Sequence, residues 1–341
     1  MMRRLVFELS GEHDTLPKSE VSGCIEAYGW QYEVVGSYRQ ALAIRTDADV
    51  SILAGRLALT HHIMEPIFEC SADEEAILRE AGSADIKLKA GERFLVRVKC
   101  VGGHGRISPQ FERRLGAAIW RRGYKVSLTN PDVVFRAIVT GGVCIFGKLI
   151  ASPDRAQYEK RAPQKKPFFL PGVLMPRISR AIVNMSRIRE GWMLDPMSGT
   201  GGILVEAELI SDAIHVIGSD IQKKMAYGTR WNLRHYGKNY DVMMQDSLKM
   251  GIKTNSIDAI VTDFPYGQST PIKGSSLEAF HRDTIKEIFR VLKPGRYAVI
   301  VYREPMEKLL REAGFNVIES HEQYIHKSLT RHITLVRKEV V

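Results

Sequence analysis

Between Phe168 and the C-terminus, short apolar segments alternate with segments of helical spacing, and an aspartate stands at or just after the end of four apolar segments. Alternation of strand and helix is typical of a mostly parallel sheet with helices on both faces. The carboxyl ends of parallel strands meet at one edge of the sheet, where ligands bind. The pattern therefore predicts that four acids gather at one ligand-binding edge: Asp195, Asp220, Asp246 and Asp263.

The individual elements of this half are predicted from apolar periodicity and from glycine and proline at their ends. Strands are predicted over residues 192–194, 215–217, 242–244, 257–261, 297–302, 315–318 and 333–336. Helices are predicted over residues 203–210, 223–235, 277–292 and 304–313, the third stopped by Pro294-Gly295.

Residues 1 to 150 have a different character and predict two small α+β modules built on antiparallel sheets. The first module combines predicted strands and helices over residues 5–9, 17–28, 32–35, 42–45 and 49–59. The second combines a strand, a helix and a strand pair over residues 93–99, 109–122, 133–139 and 142–148. Residues 151–170 are rich in proline and basic residues and lack apolar periodicity, which predicts a solvated linker or a basic arm touching a phosphate backbone.

The 341 residues carry a formal net charge of +10. An excess of this size favours a polyanionic partner such as nucleic acid, or serves solubility alone. The four cysteines are far apart, which predicts buried free thiols and no metal site. No apolar stretch reaches the roughly 18 residues of a membrane span. Because the N-terminal segment indicates a strand rather than a signal peptide, we expect a cytoplasmic protein.

A glycine-rich segment, Asp195-Pro196-Met197-Ser198-Gly199-Thr200-Gly201-Gly202, lies between a predicted strand and a predicted helix. Its glycines allow a tight turn and a close approach to a ligand, but it has neither the dinucleotide fingerprint nor the lysine of a phosphate loop. Asp220 follows Gly199 by about 20 positions, a spacing that places a carboxylate on ribose hydroxyls. Acids beside the loop suit a cofactor with an ammonium and a sulfonium, such as S-adenosylmethionine.

The predicted cofactor-binding residues are those of the loop and those at the next two strand ends: Asp195, Pro196, Ser198, Gly199, Thr200, Gly201, Asp220, Ile221, Asp246 and Ser247. Asp246 is expected to accept a hydrogen bond from the adenine amine. For each acid alone, the alternative is the N-cap of a helix.

The predicted catalytic residues, Asp263, Phe264, Pro265 and Tyr266, follow a buried strand and precede Gly267. The exocyclic amine of a purine is a poor nucleophile, so catalysis must localise its lone pair with acceptors aimed at the amine protons. We expect the Asp263 carboxylate and the Phe264 carbonyl to be these acceptors. The flat ring of Tyr266 suits stacking on a flipped base. The alternative is an ordinary turn with proline at its corner.

These residues resemble the amino-methyltransferases with an (Asn/Asp/Ser)-Pro-Pro-(Tyr/Phe/Trp) motif and, more closely, the archaeal tRNA guanine-10 N2-methyltransferases. Two further segments carry the resemblance, Phe168-Phe169-Leu170-Pro171-Gly172 with Met175-Pro176-Arg177, and His326-Lys327-Ser328-Leu329-Thr330-Arg331. The resemblance implies a Rossmann-like α/β methyltransferase domain over 171–341, preceded by a ferredoxin-like α+β domain over 1–60, a THUMP RNA-binding α/β domain over 61–150 and the basic linker 151–170.

The resemblance also implies tRNA as the partner, S-adenosylmethionine as the cofactor and transfer of one or two methyl groups to N2 of guanine 10. One departure is Phe264, which stands where the family has proline. Its backbone carbonyl preserves the expected chemistry, its ring is expected to add stacking surface, and the number of methyl groups stays open.

Basic residues predicted to contact RNA occur in four clusters: Arg113, Arg114, Arg121, Arg122, Lys160, Arg161, Lys165, Lys166, Lys327 and Arg331. The alternative for any single cluster is a solvated face. Two other functions remain open: N-methylation of adenine in nucleic acid or of protein glutamine, and an RNA-binding module without catalytic activity. We expect a monomer.

Overall fold

The computed structural model describes residues 2–102, 107–237, 239–265, 276–327 and 329–340. The chain forms two units. The first comprises Met1–Lys18, Trp30–Gly55 and Leu59–Asp154, and the second comprises Ser19–Gly29, Arg56–Ala58 and Arg155–Val341. Two segments of the N-terminal half thus belong to the same unit as the C-terminal half.

The described part of the first 151 residues contains eight strands and four helices. The strands are β1 (Arg3–Leu9), β2 (Tyr32–Tyr38), β3 (Ala41–Thr46), β4 (Thr60–Ser71), β5 (Arg93–Cys100), β6 (Lys125–Val126), β7 (Val133–Thr140) and β8 (Val143–Ala151). The helices are α1 (Leu16–Ala27), α2 (Val50–Arg56), α3 (Glu74–Ser83) and α4 (Phe111–Trp120).

All eight strands lie in one sheet of order β2-β3-β1-β4-β8-β7-β5-β6. The unpredicted strand β4 pairs antiparallel with both β1 and β8, so the two predicted modules share a sheet. The expectation of purely antiparallel sheets is wrong, because β5 pairs in parallel with β6 and β7. The strand β4 was not predicted because it contains Pro66, and proline is rare inside strands; the β4–β8 register shifts beside this proline.

The second unit continues from residue 155 with helices on both sides of a seven-stranded sheet. Its helices are α5 (Ala156–Lys160), α6 (Pro176–Met185), α7 (Gly202–Glu208), α8 (Lys223–Tyr236), α9 (Leu277–Val291) and α10 (Glu307–Glu312), with a short 3-10 helix at Pro163–Lys165. Its strands are β9 (Gly191–Asp195), β10 (Ile214–Asp220), β11 (Tyr240–Met244), β12 (Ile257–Asp263), β13 (Leu292–Tyr302), β14 (Phe315–His326) and β15 (Leu329–Lys338).

The order of this sheet is β11-β10-β9-β12-β13-β15-β14. The strands from β11 to β13 are parallel, as predicted, and β15 adds an antiparallel edge hairpin with β14. Pro294-Gly295 does not end a helix: α9 stops at Val291 and β13 starts at Leu292. The pairing of β13 with β12 is irregular between Leu292 and Tyr297, which accommodates the missing proline N–H.

Candidate active site and cofactor site

Three predicted acids end neighbouring parallel strands of the second unit. Asp195 is the last residue of β9, Asp220 of β10 and Asp263 of β12. Within the sheet, β9 lies between two neighbours: β10, which follows it in the chain, is on one side, and β12 is on the other. The sheet therefore has its topological switch point between β9 and β12, where such folds bind their ligands.

The glycine-rich segment turns tightly between β9 and α7. The N–H of Ser198 donates to the Ser219 carbonyl (2.8 Å), and the N–H of Gly201 donates to the Ser198 carbonyl (2.7 Å). Gly201 has a φ of +72°. A Cβ atom there would lie 2.9 Å from the Thr229 side chain. Glycine is required at this position by both its backbone conformation and its close neighbour.

Two buried side chains of α8 hold this loop and escaped the sequence analysis. The Thr229 hydroxyl donates to the Gly199 carbonyl (2.9 Å), and the Asn232 amide donates to the carbonyls of Thr200 (2.8 Å) and Phe168 (2.7 Å). The sequence did contain a signal for this role, namely two polar residues three positions apart on the side of a helix that is buried. Their role is to fix the backbone that would face a cofactor.

Asp195 is a buried carboxylate whose Oδ1 accepts a hydrogen bond from the Met197 N–H (3.2 Å). Burial raises its pKa to about 7, and the negative charges of Asp263 and Asp220 act in the same direction. Within the described ranges, no basic side chain forms an ion pair with it. A buried acid in this state suits a cationic ligand, so the site fits the ammonium and sulfonium of S-adenosylmethionine.

Asp220 lies beside the loop, as its spacing predicted. Its carboxylate accepts hydrogen bonds from the N–H groups of Gly199 (3.1 Å) and Gln222 (2.9 Å). Burial raises its pKa, and these two hydrogen bonds oppose the increase. Each oxygen retains acceptor capacity for a ribose hydroxyl. The adjacent Ile221 is 55% exposed and offers an apolar surface to a planar ring.

The third predicted acid position follows β11. Asp246 is exposed, and its Oδ1 accepts a hydrogen bond from the Leu248 N–H (2.9 Å). The neighbouring Ser247 is buried, with its hydroxyl 3.5 Å from that of Thr284. Asp246 is therefore open to a ligand amine, whereas the Ser247 side chain is turned into the protein.

The catalytic segment leaves β12 at Asp263, which is half-buried. The N–H of Phe264 donates to the Val301 carbonyl (2.9 Å), so the backbone is still held by the neighbouring strand. The ring of Phe264 is 1% exposed and packs near Tyr302, with 6.2 Å between centroids. The expectation that this ring stacks on a base is wrong, because the ring belongs to the core. Pro265 is half-buried, and Tyr266 lies outside the described residues.

Residues 151–170 do not form a solvated linker. Tyr158 and Arg161 are buried. The Arg161 guanidinium donates to both carboxylate oxygens of Glu206 on α7, at 2.8 and 3.0 Å. This paired, buried Arg161 corrects the prediction that it contacts RNA.

Two other predicted RNA contacts are also buried. Lys166 lies inside the second unit, and burial lowers its pKa. Arg331 donates a hydrogen bond to the Gly172 carbonyl (2.8 Å). Phosphate cannot reach a cation that is enclosed in this way, so these two predictions are corrected as well. The remaining basic residues of these clusters are exposed: Lys160, Lys165 and Lys327.

The arginines in α4 and directly after it lie in the first unit. Arg114 forms ion pairs with Glu74 and Glu75, and Arg122 donates to the carbonyl of Ala84 (2.8 Å). With the exposed Arg121, they line a groove of about 680 Å³ whose walls are α3 and α4. The exposed Arg113 completes the predicted set.

Among the described residues, no group of His, Cys, Asp and Glu side chains has an arrangement that could hold a metal ion. The helices in the described ranges are also too short or too polar to cross a membrane.

The parallel sheet, the glycine loop held by α8 and the acids at the switch point define an S-adenosylmethionine-dependent methyltransferase. A family model described as "RMKL-like, methyltransferase domain" matches residues 163–333. The tRNA (guanine(10)-N2)-dimethyltransferase of Methanothermobacter thermautotrophicus is 33% identical over 97% of this chain and 98% of its own length. The chain belongs to the archaeal tRNA (guanine-10-N2)-methyltransferase family.

A second relative agrees with this assignment, and a solved structure supports the fold. The tRNA (guanine(10)-N2)-dimethyltransferase of Methanocaldococcus jannaschii is 29% identical over 97% of this chain and 99% of its own length. The solved structure of TrmN from Thermus thermophilus, 20% identical, covers 98% of this chain and all of its own with a TM-score of 0.55, which supports the fold.

Proposed function

We propose that this protein transfers methyl groups from S-adenosylmethionine to the exocyclic N2 amine of guanine 10 in tRNA. The observation that carries the proposal is the Asp263 carboxylate at the switch point, close enough to Asp195 to raise its pKa. The names of the full-length relatives specify the base and the position.

The proposed reaction needs little acid–base chemistry. The cofactor supplies an electrophilic methyl group on a positively charged sulfur. Asp263 and the carbonyl of Phe264 accept hydrogen bonds from the N2 amine, which hold the nitrogen in line and localise its lone pair. After methyl transfer the nitrogen carries a positive charge and its proton leaves, with the Asp263 carboxylate as the nearest acceptor.

The remaining site residues bind and orient the cofactor in this proposal. Asp195 faces the ammonium, Asp220 accepts from the ribose hydroxyls, and Asp246 accepts from the adenine amine. Gly199 and Gly201 allow the close approach, and Tyr266 stacks on the flipped guanine.

Phe264 replaces the proline of the family motif, and its buried ring supports the loop in a different way. Proline restricts the backbone through its own ring. Here Phe264 itself is restrained by the packing of its side chain in the core and by the hydrogen bond that its N–H donates to the Val301 carbonyl. We therefore propose that two methyl groups are added, as in the relatives named dimethyltransferases.

Recognition of tRNA in the cytoplasm is assigned in this proposal to the first unit, with a ferredoxin-like part and a THUMP part in its shared sheet. The α3–α4 groove, lined by Arg114, Arg121 and Arg122, supports this assignment. Its exposed Arg121 suits a phosphate group, whereas Arg114 is paired with Glu74 and Glu75.

The test is to incubate the protein with unmodified tRNA and methyl-labelled cofactor, digest the RNA to nucleosides and analyse them by mass spectrometry. We expect N2-methylguanosine followed by N2,N2-dimethylguanosine, and no product with tRNA that carries adenine at position 10. Methylated adenosine in the digest would replace guanine as the proposed target, and labelled methylglutamine in an amino-acid digest of proteins incubated in parallel would replace RNA as the substrate. Cofactor and tRNA binding without any product would instead support the non-catalytic alternative.

A further inference from the structure

Helix α8 has two faces of opposite character. Its buried face includes Thr229 and Asn232, which hold the glycine-rich loop. Its other face is exposed and consists of basic residues, large aromatic residues and one histidine: Lys223, Lys224, Tyr227, Arg230, Trp231, Arg234 and His235. The helix contains no acidic residue.

The two aromatic residues of this face are exposed to solvent. Tyr227 is 62% exposed and Trp231 is 59% exposed. They stand four positions apart and therefore lie on the same side of the helix, one turn from each other. Large aromatic residues that are clustered on a surface indicate a binding site rather than a fold requirement.

Three of the four cations of this face lack partners within the described part of the chain. Lys224, Arg230 and Arg234 make no hydrogen bond or ion pair there, and Lys223 lies over the Tyr227 ring at 5.8 Å.

Helix α9 of the same unit behaves differently. Each of its basic residues pairs with an acid three or four positions away: Arg282 with Glu278, Lys286 with Asp283, and Arg290 with Glu287. The positive field of α8 is thus a property of that helix and not of helices in this unit generally.

We propose that the exposed face of α8, the α8 basic–aromatic face, docks an RNA strand of the tRNA substrate. The cations neutralise phosphates, and Trp231 and Tyr227 stack on unpaired bases. The face extends about 16 Å from Lys223 to Arg234 at 1.5 Å per residue, enough for several nucleotides. A second copy of the chain is disfavoured as the occupant, since two such faces would repel each other.

This proposal rests on the proposed function for the identity of the RNA, and it adds a contact surface on the catalytic unit itself. Because Thr229 and Asn232 on the same helix hold Gly199 and Thr200, RNA on the outer face binds the element that positions the cofactor loop.

The first experiment compares two full-length double variants with equal loss of charge. Arg230→Gln/Arg234→Gln removes cations of the α8 face, and Arg282→Gln/Lys286→Gln removes paired cations of α9. Binding of an unmodified tRNA transcript is measured by fluorescence anisotropy at several salt concentrations. We expect about tenfold weaker binding and a salt slope smaller by about 1.5 for the α8 variant, and little change for the α9 variant.

Calorimetry with S-adenosylhomocysteine serves as the folding control, and both variants should bind it like the wild type. Equal tRNA affinities and slopes for the α8 variant and the wild type would overturn the proposal. An absence of tRNA binding by the wild type would refute the proposed function instead.

The second experiment uses the Trp231 ring as its own probe. Because the exposed Trp120 lies beside Arg121, both proteins compared carry Trp120→Phe: we expect tRNA to quench the tryptophan emission of Trp120→Phe and to quench that of Trp120→Phe/Trp231→Phe much less. Trp231→Ala should weaken tRNA binding about 5- to 100-fold, as expected for the loss of a stacked base. If polyglutamate of equal charge quenches Trp231 and competes as well as RNA, the face binds an acidic protein or any polyanion, and the stacking proposal is wrong.

Discussion

Each unit of this protein has a buried carboxylate in a strand or at its end, Glu8 in the first unit and Asp195 in the second. The charges near these two carboxylates have opposite signs. In the first unit, Glu8 forms ion pairs with Arg136 (2.7 Å) and Lys99 (3.4 Å). Burial works against its ionisation, but the hydrogen bond and charge of Arg136 hold its pKa below the ordinary value. In the second unit, Asp195 has two acids near it, and burial raises its pKa to about 7.

The sign of the nearby charges distinguishes an acid that stabilises the fold from an acid that is available to bind a cationic ligand. A paired buried charge is already compensated, so its removal leaves its partner unsatisfied. An uncompensated buried acid lowers the stability of the ligand-free protein, and binding of a cation restores that stability. Burial alone does not distinguish the two; the sign of the charges nearby does.

The largest expected effect belongs to Asp263. We expect Asp263→Ala to lower kcat about a thousandfold, because it removes an acceptor aimed at the amine in the transition state. Affinity for cofactor and tRNA should change less than threefold. Asp263→Asn, which keeps one acceptor oxygen, should lose less activity. Single-turnover assays with tRNA check this, and a fully active Asp263→Ala enzyme would contradict the assigned role.

The structural acid provides the sharpest contrast. We expect Glu8→Gln to destabilise the first unit by about 3 kcal/mol, because it breaks a buried ion pair and leaves Arg136 without its counterion. Urea unfolding monitored by circular dichroism measures the loss. Affinity for S-adenosylhomocysteine should stay the same in this variant. A loss of that affinity would mean that Glu8 also contributes to the cofactor site.

Asp220 should affect the cofactor and little else. We expect Asp220→Ala to weaken binding of S-adenosylhomocysteine about 10- to 100-fold, the range for lost hydrogen bonds to a charged group. Asp241→Ala removes an exposed acid of β11 that contacts His215 and serves as the matched control. Calorimetry on both variants checks this, and equal dissociation constants would remove Asp220 from the site.

A pH dependence of opposite sign is expected in the two units. The pKa of Asp195 rises from 3.8 to about 7 on folding, so its stabilising contribution is present below pH 4 and is lost as the pH rises through 7. The pKa of Glu8 falls from 4.5, so its contribution is present above that pH and is lost in acid. Unfolding measured at about pH 3, pH 5 and pH 8 tests both signs: Glu8 predicts lower stability at pH 3 than at pH 5, and Asp195 predicts lower stability at pH 8 than at pH 5.

Cofactor affinity should follow the same group. Because a cationic ligand favours ionised Asp195, the dissociation constant of S-adenosylhomocysteine should rise by up to about tenfold per pH unit below 7 and level off above it. In Asp195→Asn the curve should be flat over this range. Calorimetric titrations across the range measure it, and an unchanged slope in the variant would assign the proton to another group.

The sequence predicted the parallel sheet and the positions of Asp195, Asp220 and Asp263, because alternation and strand ends are local patterns. It did not predict what long-range contacts decide. Arg161 and Lys166 look like a basic arm in the sequence, but Glu206, far along the chain, supplies the partner that buries Arg161. The α8 face was missed for the same reason, since only the fold shows which side of a helix is covered.

The membership of residues 19–29 in the second unit has a consequence for synthesis. The amide of Asn184 donates to the carboxylate of Glu20 (2.8 Å), and both side chains are fully buried. Glu20 leaves the ribosome long before Asn184 does, and at about 5 to 20 residues per second the wait is on the order of ten seconds or more. During that time α1, whose Val21 and Ile25 are buried in the folded protein, has residues 56–58 of its own unit but not residues 155–341. A nascent chain of this protein should therefore depend on a chaperone at the exit tunnel until residue 184 emerges, and a C-terminal fragment produced alone would lack the segment that fills its own core.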